Sequence, residues 1–297
     1  MVYIDVITGF LGAGKTTFAN ILLHEYMSRG EKSVYIVNEF GKTALDAELI
    51  RREGFDAVAL TNGCVCCSLK NDLAAALREI VRTFRPTRIV FESSGVFVFS
   101  GFGETLADAY LAEHCRIGRV ITVIDSLNYK KGISAAGSFI CDQTENASVL
   151  LLSKLEKYTG DVSEIVRDIE KINPTARILA QPWNDTDFIQ NVLDAPPAAG
   201  SPSSSAGKHA PVDSLTIVSF KDYSKDDYLE LEKDILCGRF GRIFRVKGTI
   251  KMDGETYFLN IAMDDVELKK AYKGAKPILT FIGKEIDAEE IRRIFDN

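Results

Sequence analysis

The chain has only three histidines, His24, His114 and His209, scattered along its 297 residues, and none is assigned a role. No stretch of 18 apolar residues occurs, so no transmembrane helix is expected. The N-terminus carries no basic region, no long apolar segment and no small-residue cleavage site, so no signal peptide is expected. No basic run interrupts a net charge of −6, which argues against nucleic-acid and membrane partners. Six cysteines are too few for a disulfide framework. Three of them fall within four positions, which favours metal or redox chemistry in a reducing cytoplasm. No internal repeat is present. What remains is an ordinary globular balance, 46% hydrophobic and 26% charged, long enough for two domains.

Against that background one stretch stands out. Gly9-Phe10-Leu11-Gly12-Ala13-Gly14-Lys15-Thr16 fits G-x-x-x-x-G-K-[ST], a phosphate-binding P-loop. Val2–Ile7 before it is apolar enough for a buried strand. Thr17–Met27 after it carries Phe18, Ile21, Leu22 and Tyr26 at helical spacing. Strand, glycine loop and helix let backbone N–H groups surround phosphate oxygens at a helix N-terminus. The nucleotide-binding set is therefore Gly12, Ala13, Gly14, Lys15, Thr16 and Thr17. Lys15 is placed on the β- and γ-phosphates, and the Thr16 hydroxyl on Mg²⁺.

Further strands are expected at Ser33–Asn38, Val58–Leu60, Arg88–Glu92, Val120–Ile124, Val149–Leu152 and Ala176–Ala180, with helices at Asp72–Phe84 and Ile165–Ile172. This alternation implies βαβ units and a mostly parallel sheet. The polar tips Gly9, Glu39, Glu92, Asp125 and Lys154 all fall at C-terminal strand ends, the edge where such sheets bind ligands. Ala195–Pro211 reads as a flexible linker between a domain of residues 1–194 and one of residues 212–297. In the second, strands Leu215–Phe220, Arg242–Ile250, Thr256–Met263 and Ile278–Ile282, a hairpin turn at Asp253-Gly254, and helices Lys225–Leu236 and Ala288–Phe295 suggest a smaller α+β unit.

A P-loop enzyme needs a carboxylate at a strand end for Mg²⁺ or its waters, and Glu92 stands in that place. Gly95 offers its N–H to a γ-phosphate. Glu39 has three roles open to it: touching Mg²⁺, positioning the attacking water, or ligating a second metal. Asp46 is a weaker candidate. The catalytic set is Lys15, Glu39 and Glu92. In Cys64-Val65-Cys66-Cys67, thiolates at i, i+2 and i+3 converge on one borderline metal, Zn²⁺ by default and Co²⁺ as the alternative, with Glu39, water or a partner's residue as fourth ligand. Redox sensing is the competing role of this triad. Cys115, Cys141 and Cys237 are isolated and read as core.

Taken together, the P-loop, Asn38-Glu39-Phe40-Gly41, Gly63-Cys64-Val65-Cys66-Cys67 and Glu92-Ser93-Ser94-Gly95 resemble the CobW-like metallochaperone GTPases, relatives of the urease and hydrogenase accessory GTPases. The similarity runs from Tyr3 to Phe295, through Val120–Asp125 and the tail Leu279–Asp287. It implies a P-loop NTPase domain with a CobW-type C-terminal domain. It further implies GTP hydrolysis coupled to handing Zn²⁺ or cobalt to a client, metal on the Cys triad, and Glu92 in place of the usual Asp. The family's guanine-reading Asn-Lys-x-Asp stands here as Ser153-Lys154-Leu155-Glu156, so Ser153, Lys154 and Glu156 complete the nucleotide set. Val96–Phe99 lacks the family's usual proline, and there is no His-rich tract of the kind that stores metal.

The expectation is thus a cytoplasmic, Mg²⁺-dependent GTPase that delivers metal to a client metalloprotein or corrinoid enzyme. No arginine finger is evident, so slow intrinsic turnover is expected. A homodimer is left open. Two rivals stand beside it: a nucleotide-dependent activator of a corrinoid or other metalloenzyme, using ATP or GTP and carrying no free metal, and a nucleotide-binding switch that does not hydrolyse.

Overall fold

The structure is a computed structural model and describes residues 1–38, 54–60, 69–97, 99, 102–198, 212–263, 265–272 and 274–295. They form two compact units, one ending before and one beginning after the segment 199–211.

The first unit is built on seven parallel strands: β1 (Val2–Gly9), β2 (Ser33–Asn38), β3 (Asp56–Leu60), β4 (Arg88–Glu92), β5 (Cys115–Asp125), β6 (Val149–Ser153) and β7 (Arg177–Leu179). Their order is β3-β2-β4-β1-β5-β6-β7. Near-continuous apolar runs such as Val149–Leu152 form the inner strands because helices cover both faces. On one face, Ile7, Tyr35, Val37, Val90 and Val123 pack against Phe18, Leu22 and Tyr26 of α1 (Lys15–Ser28). On the other, Ile4, Val6, Ile36, Ile89 and Phe91 pack against Leu73, Leu77, Ile80 and Val81 of α2 (Leu69–Phe84). The next strand after β1 lies to one side of it and β5 to the other, so the switch point of the sheet falls at β1, where the P-loop begins.

Several helices in this unit have no counterpart in the sequence reading: α3 (Phe102–Leu106), α4 (Ala109–His114), α5 (Tyr129–Glu145) and, beyond α6 (Val162–Ile172), α7 (Phe188–Leu193). The α5 segment holds two glycines and a non-helical Ala136, which blurs its period. Strand β5 is also longer than expected, beginning at Cys115. The first residues of the expected linker are tied to the first unit. Ala195 is buried in the core, and the Ala198 N–H donates to Gly118 O at 2.8 Å.

The second unit has a six-stranded, mainly antiparallel sheet: β8 (Asp213–Val218), β9 (Asp222–Tyr223), β10 (Arg242–Met252), β11 (Glu255–Ala262), β12 (Asp265–Lys270) and β13 (Ile278–Lys284). Residues Tyr228, Leu231 and Ile235 of α8 (Lys225–Leu236) and Ile291 and Phe295 of α9 (Ala288–Phe295) share one core with the sheet. Strands β9 and β12 were not anticipated. The β12 residues are mostly charged and only Val266 and Leu268 pack inward, too few for a sequence pattern to register. Phe220 falls beyond β8 and is 78% exposed. Cys115 is buried as expected, whereas Cys141 is half-buried and Cys237 is exposed, its thiol bonded to Asp234 O.

Among the described residues, no helix is long and apolar enough to cross a membrane.

Candidate functional site

The P-loop leaves β1 at Gly9 and enters α1 at Lys15. Gly14, the N-terminal cap residue, has a φ of 102°, a left-handed value that an L side chain resists, and it brings no side chain to cap the helix. The first N–H groups of α1 are thus positioned to receive an anion. Lys15 is buried, and its Nζ donates to Gly9 O at 2.9 Å and Phe10 O at 3.2 Å, folding the side chain back over the loop. Thr17, in the first turn of α1, is exposed.

One residue after Lys15, the Thr16 hydroxyl donates to Glu92 Oε1 at 2.9 Å. The other carboxylate oxygen, Oε2, accepts from the Tyr35 hydroxyl at 2.6 Å. Glu92 ends β4 and is only 4% exposed. Sequence spacing alone could not join residues 16, 35 and 92. The parallel register does, since Tyr35 lies opposite Val90 and Val37 opposite Glu92.

Past Glu92 the chain runs against the P-loop. A Cβ on Gly95 would lie 2.6 Å from the Leu11 nitrogen, so only glycine fits at this approach. The end of α5 fastens the same loop. Gln143 Nε2 donates to Phe97 O at 3.0 Å and Gly95 O at 3.3 Å, and Asp142 accepts from the Phe99 N–H at 2.7 Å.

Beside the loop lies a pocket of about 470 Å³. Ala13, Gly14 and Thr17 form one wall, Ser153, Lys154 and Glu156 another, and Gln181–Asn184 a third. Ser153 is buried, and its hydroxyl lies 2.7 Å from Ala13 O and 3.2 Å from Ile124 O, tying the pocket to the P-loop. Lys154 has a left-handed φ of 57° and pairs with Asp125 at 2.9 Å. Glu156 is exposed on the rim. The Trp183 indole donates to Leu152 O at 3.0 Å and stacks on Phe188, which fixes the third wall.

The geometry thus brings Lys15, Thr16, Glu92 and Gly95 around one loop, with Gly12, Ala13, Gly14, Ser153, Lys154 and Glu156 beside it. Glu39, Asp46, Cys64, Cys66 and Cys67 lie outside the described residues. The sequence reading missed Tyr35, Gln143 and Trp183. A tyrosine inside an otherwise apolar strand gives no signal of its own. Trp183, the chain's one tryptophan, follows β7 in the polar run Gln181-Pro182-Trp183-Asn184, and the strand-end rule applied elsewhere would have found it.

The model of the CobW/HypB/UreG nucleotide-binding domain matches residues 3–180, and that of the cobalamin synthesis protein CobW C-terminal domain matches residues 219–297. The zinc chaperone YjiA of Escherichia coli (strain K12) is 26% identical over 312 residues, covering 98% of this chain and 97% of YjiA. The zinc chaperone CobW of a Sinorhizobium species is 33% identical over 170 residues, covering 55% of this chain and 46% of that protein. The crystal structure of Zn(II)-bound YjiA GTPase from E. coli aligns over 99% of this chain and 98% of its own, with 18% identity and a TM-score of 0.46. With a P-loop at the switch point of a parallel sheet and family matches spanning both units, this chain belongs to the CobW/HypB/UreG family of P-loop GTPases and carries a CobW-type C-terminal domain.

Proposed function

We propose that this protein hydrolyses GTP and couples the cycle to delivery of a metal ion, Zn²⁺ or Co²⁺, to a client metalloprotein. The observation that carries the nucleotide half is the meeting of the Thr16 hydroxyl and the Glu92 carboxylate, 2.9 Å apart and next to Lys15. A hydroxyl and a carboxylate are hard oxygen donors, the set that suits Mg²⁺. Thr16 and Glu92 would hold Mg²⁺, directly or through its waters; bound there, it would neutralise charge on the β- and γ-phosphate oxygens. Lys15 exchanges its carbonyl partners for phosphate oxygens, the N–H groups of the Gly12–Gly14 turn face the same anion, and Gly95 turns its N–H toward the γ-phosphate. Glu39 positions the attacking water or reaches the cargo metal.

The 470 Å³ pocket accommodates the base. Lys154 lays its stem along the ring, and the Glu156 carboxylate accepts from guanine, reaching with one more methylene than aspartate. Ser153 acts indirectly, by holding Ala13 of the P-loop in place. The metal half rests on the Cys64, Cys66 and Cys67 triad and on the zinc-chaperone relatives. Metal there and nucleotide at the P-loop then bias each other's affinity, because coupling between two sites is reciprocal.

The test begins with anaerobic purification and identification of the bound metal and nucleotide. Zn²⁺ or Co²⁺ is then titrated with and without a non-hydrolysable GTP analogue, and into the triple Cys→Ser variant. Metal affinity that changes with the analogue and is lost in the variant is the expected result. Equal affinity in all three would sink the chaperone reading. Trp183 lines the pocket and is the chain's one tryptophan, so its fluorescence reports nucleotide binding without a label.

A further inference from the structure

A second residue holds the proposed magnesium carboxylate, and no motif contains it. Tyr35 lies in the middle of β2, flanked by Val34, Ile36 and Val37, and is fully buried. A buried phenol is costly unless its hydroxyl finds an acceptor. Its acceptor is Glu92 Oε2, at 2.6 Å. The ring shares a sheet face with Val37 and Val90. It starts opposite Val90 and spans the two residues up to the end of β4, where the carboxylate sits.

The arrangement answers a problem set by Glu92 itself. Glutamate has one more rotatable bond than the aspartate that P-loop enzymes usually place here, so its carboxylate has more orientations to lose before it can face a cation. Two hydroxyls remove that freedom. Thr16 fixes Oε1 from α1, and Tyr35 fixes Oε2 from β2.

We propose that Tyr35 is a positioning residue for the nucleotide-bound magnesium: its phenol clamps Oε2 of Glu92 so that Oε1 stays beside the Thr16 hydroxyl. This rests on the reading of Glu92 as the magnesium carboxylate. The phenol touches neither nucleotide nor cation in this scheme; it acts through Glu92.

The experiment measures affinity for a non-hydrolysable GTP analogue by calorimetry, in EDTA and across a Mg²⁺ series. It uses the full chain as wild type, Glu92→Gln and Tyr35→Phe. In wild type, Mg²⁺ tightens binding, and E92Q loses that gain. If either result fails, the reading of Glu92 is wrong and Tyr35 has nothing to position. Given both, Y35F should raise the Mg²⁺ midpoint roughly ten- to a hundred-fold, the scale of one lost hydrogen bond to a charged group, while its affinity in EDTA matches wild type. A purely structural tyrosine would lower melting temperature or EDTA affinity without moving the midpoint. An unchanged midpoint overturns the proposal. Should Y35F fail to fold, ζ-¹³C-tyrosine NMR of the wild type replaces it. The assigned Tyr35 signal should shift when Mg²⁺ joins the analogue complex, and no shift overturns the proposal equally.

Discussion

Two buried carboxylates in the parallel sheet, Asp5 on β1 and Glu92 at the end of β4, are held in different ways. Asp5 is fully buried. Its Oδ1 accepts from the Arg119 N–H at 2.7 Å, its Oδ2 accepts from the Tyr26 hydroxyl at 2.5 Å, and the guanidinium groups of Arg88 and Arg119 stand 3.5 and 3.9 Å away. Arg88 also pairs with Glu31 and lies over the Tyr3 and Tyr26 rings. Glu92, at the C-terminal edge, accepts from the hydroxyls of Thr16 and Tyr35. Asp5 is neutralised by the chain's own cations and ties β1, α1, β4 and β5 together. Glu92 is oriented by hydroxyls at the edge where a parallel sheet binds ligands. Burial alone therefore does not tell the two acids apart; their position along the strand and the chemistry of their partners do.

The comparison breaks if the two acids exchange roles. Asp5→Ala strands two arginines and two donors and should cost roughly 3–5 kcal/mol, read by chemical denaturation, the range for removing one partner of a buried ion pair. A loss under about 1 kcal/mol would mean that Asp5 is not the tie described. Glu92→Gln keeps the shape and should leave stability within about 1 kcal/mol of wild type while single-turnover GTP hydrolysis falls on the order of 100-fold. Hydrolysis within a few-fold of wild type would remove Glu92 from the site.

Smaller effects sharpen the picture. Glu156→Ala, on the exposed rim of the pocket, should weaken GTP binding about ten-fold, the value of one charge-assisted hydrogen-bond set, and leave ATP binding and melting temperature unchanged. Equal losses for GTP and ATP would show that Glu156 does not read the base. The smallest effect concerns pH. Burial, and then the Asp5 carboxylate beside it, push the Tyr26 phenol above its ordinary 10.0. A raised folded-state value means stability that is fully present below pH 10 and is lost as pH rises beyond it. Tyr26→Phe should therefore flatten the alkaline loss of stability in thermal melts above that pH. An unchanged alkaline slope would place its origin in another tyrosine, such as Tyr129 or Tyr223, each pushed up to about 12 by burial.

Much of the first unit was legible because its signals are local. Gly9–Thr16 is a contiguous motif with its strand and helix on either side, and Glu92 ends an apolar strand. The helix at Tyr129–Glu145 escaped notice because its apolar positions are interrupted, although Gln143 and Asp142 at its end fasten the Gly95 loop. Strand β12 escaped because an edge strand needs only one packed face and here carries two inward side chains on it. Tyr35 was illegible for a different reason: it meets Glu92 only through a contact between residues distant in sequence, whereas Trp183, which contacts Leu152, at least lies in a polar run at a strand end.

By itself the sequence determined the phosphate cradle, the alternation that gives a parallel sheet, and the residue types set at its binding edge. Those depend on spacing within a few residues, where backbone geometry follows from glycine, helix period and strand alternation. Only the tertiary structure decided which acid is clamped by hydroxyls and which by arginines, and which residues share a pocket with the P-loop. The physical reason is register. Parallel strands far apart in the chain are aligned by how their two faces pack against the covering helices, and that alignment sets the Tyr35 position two residues below Glu92, whose carboxylate meets Thr16.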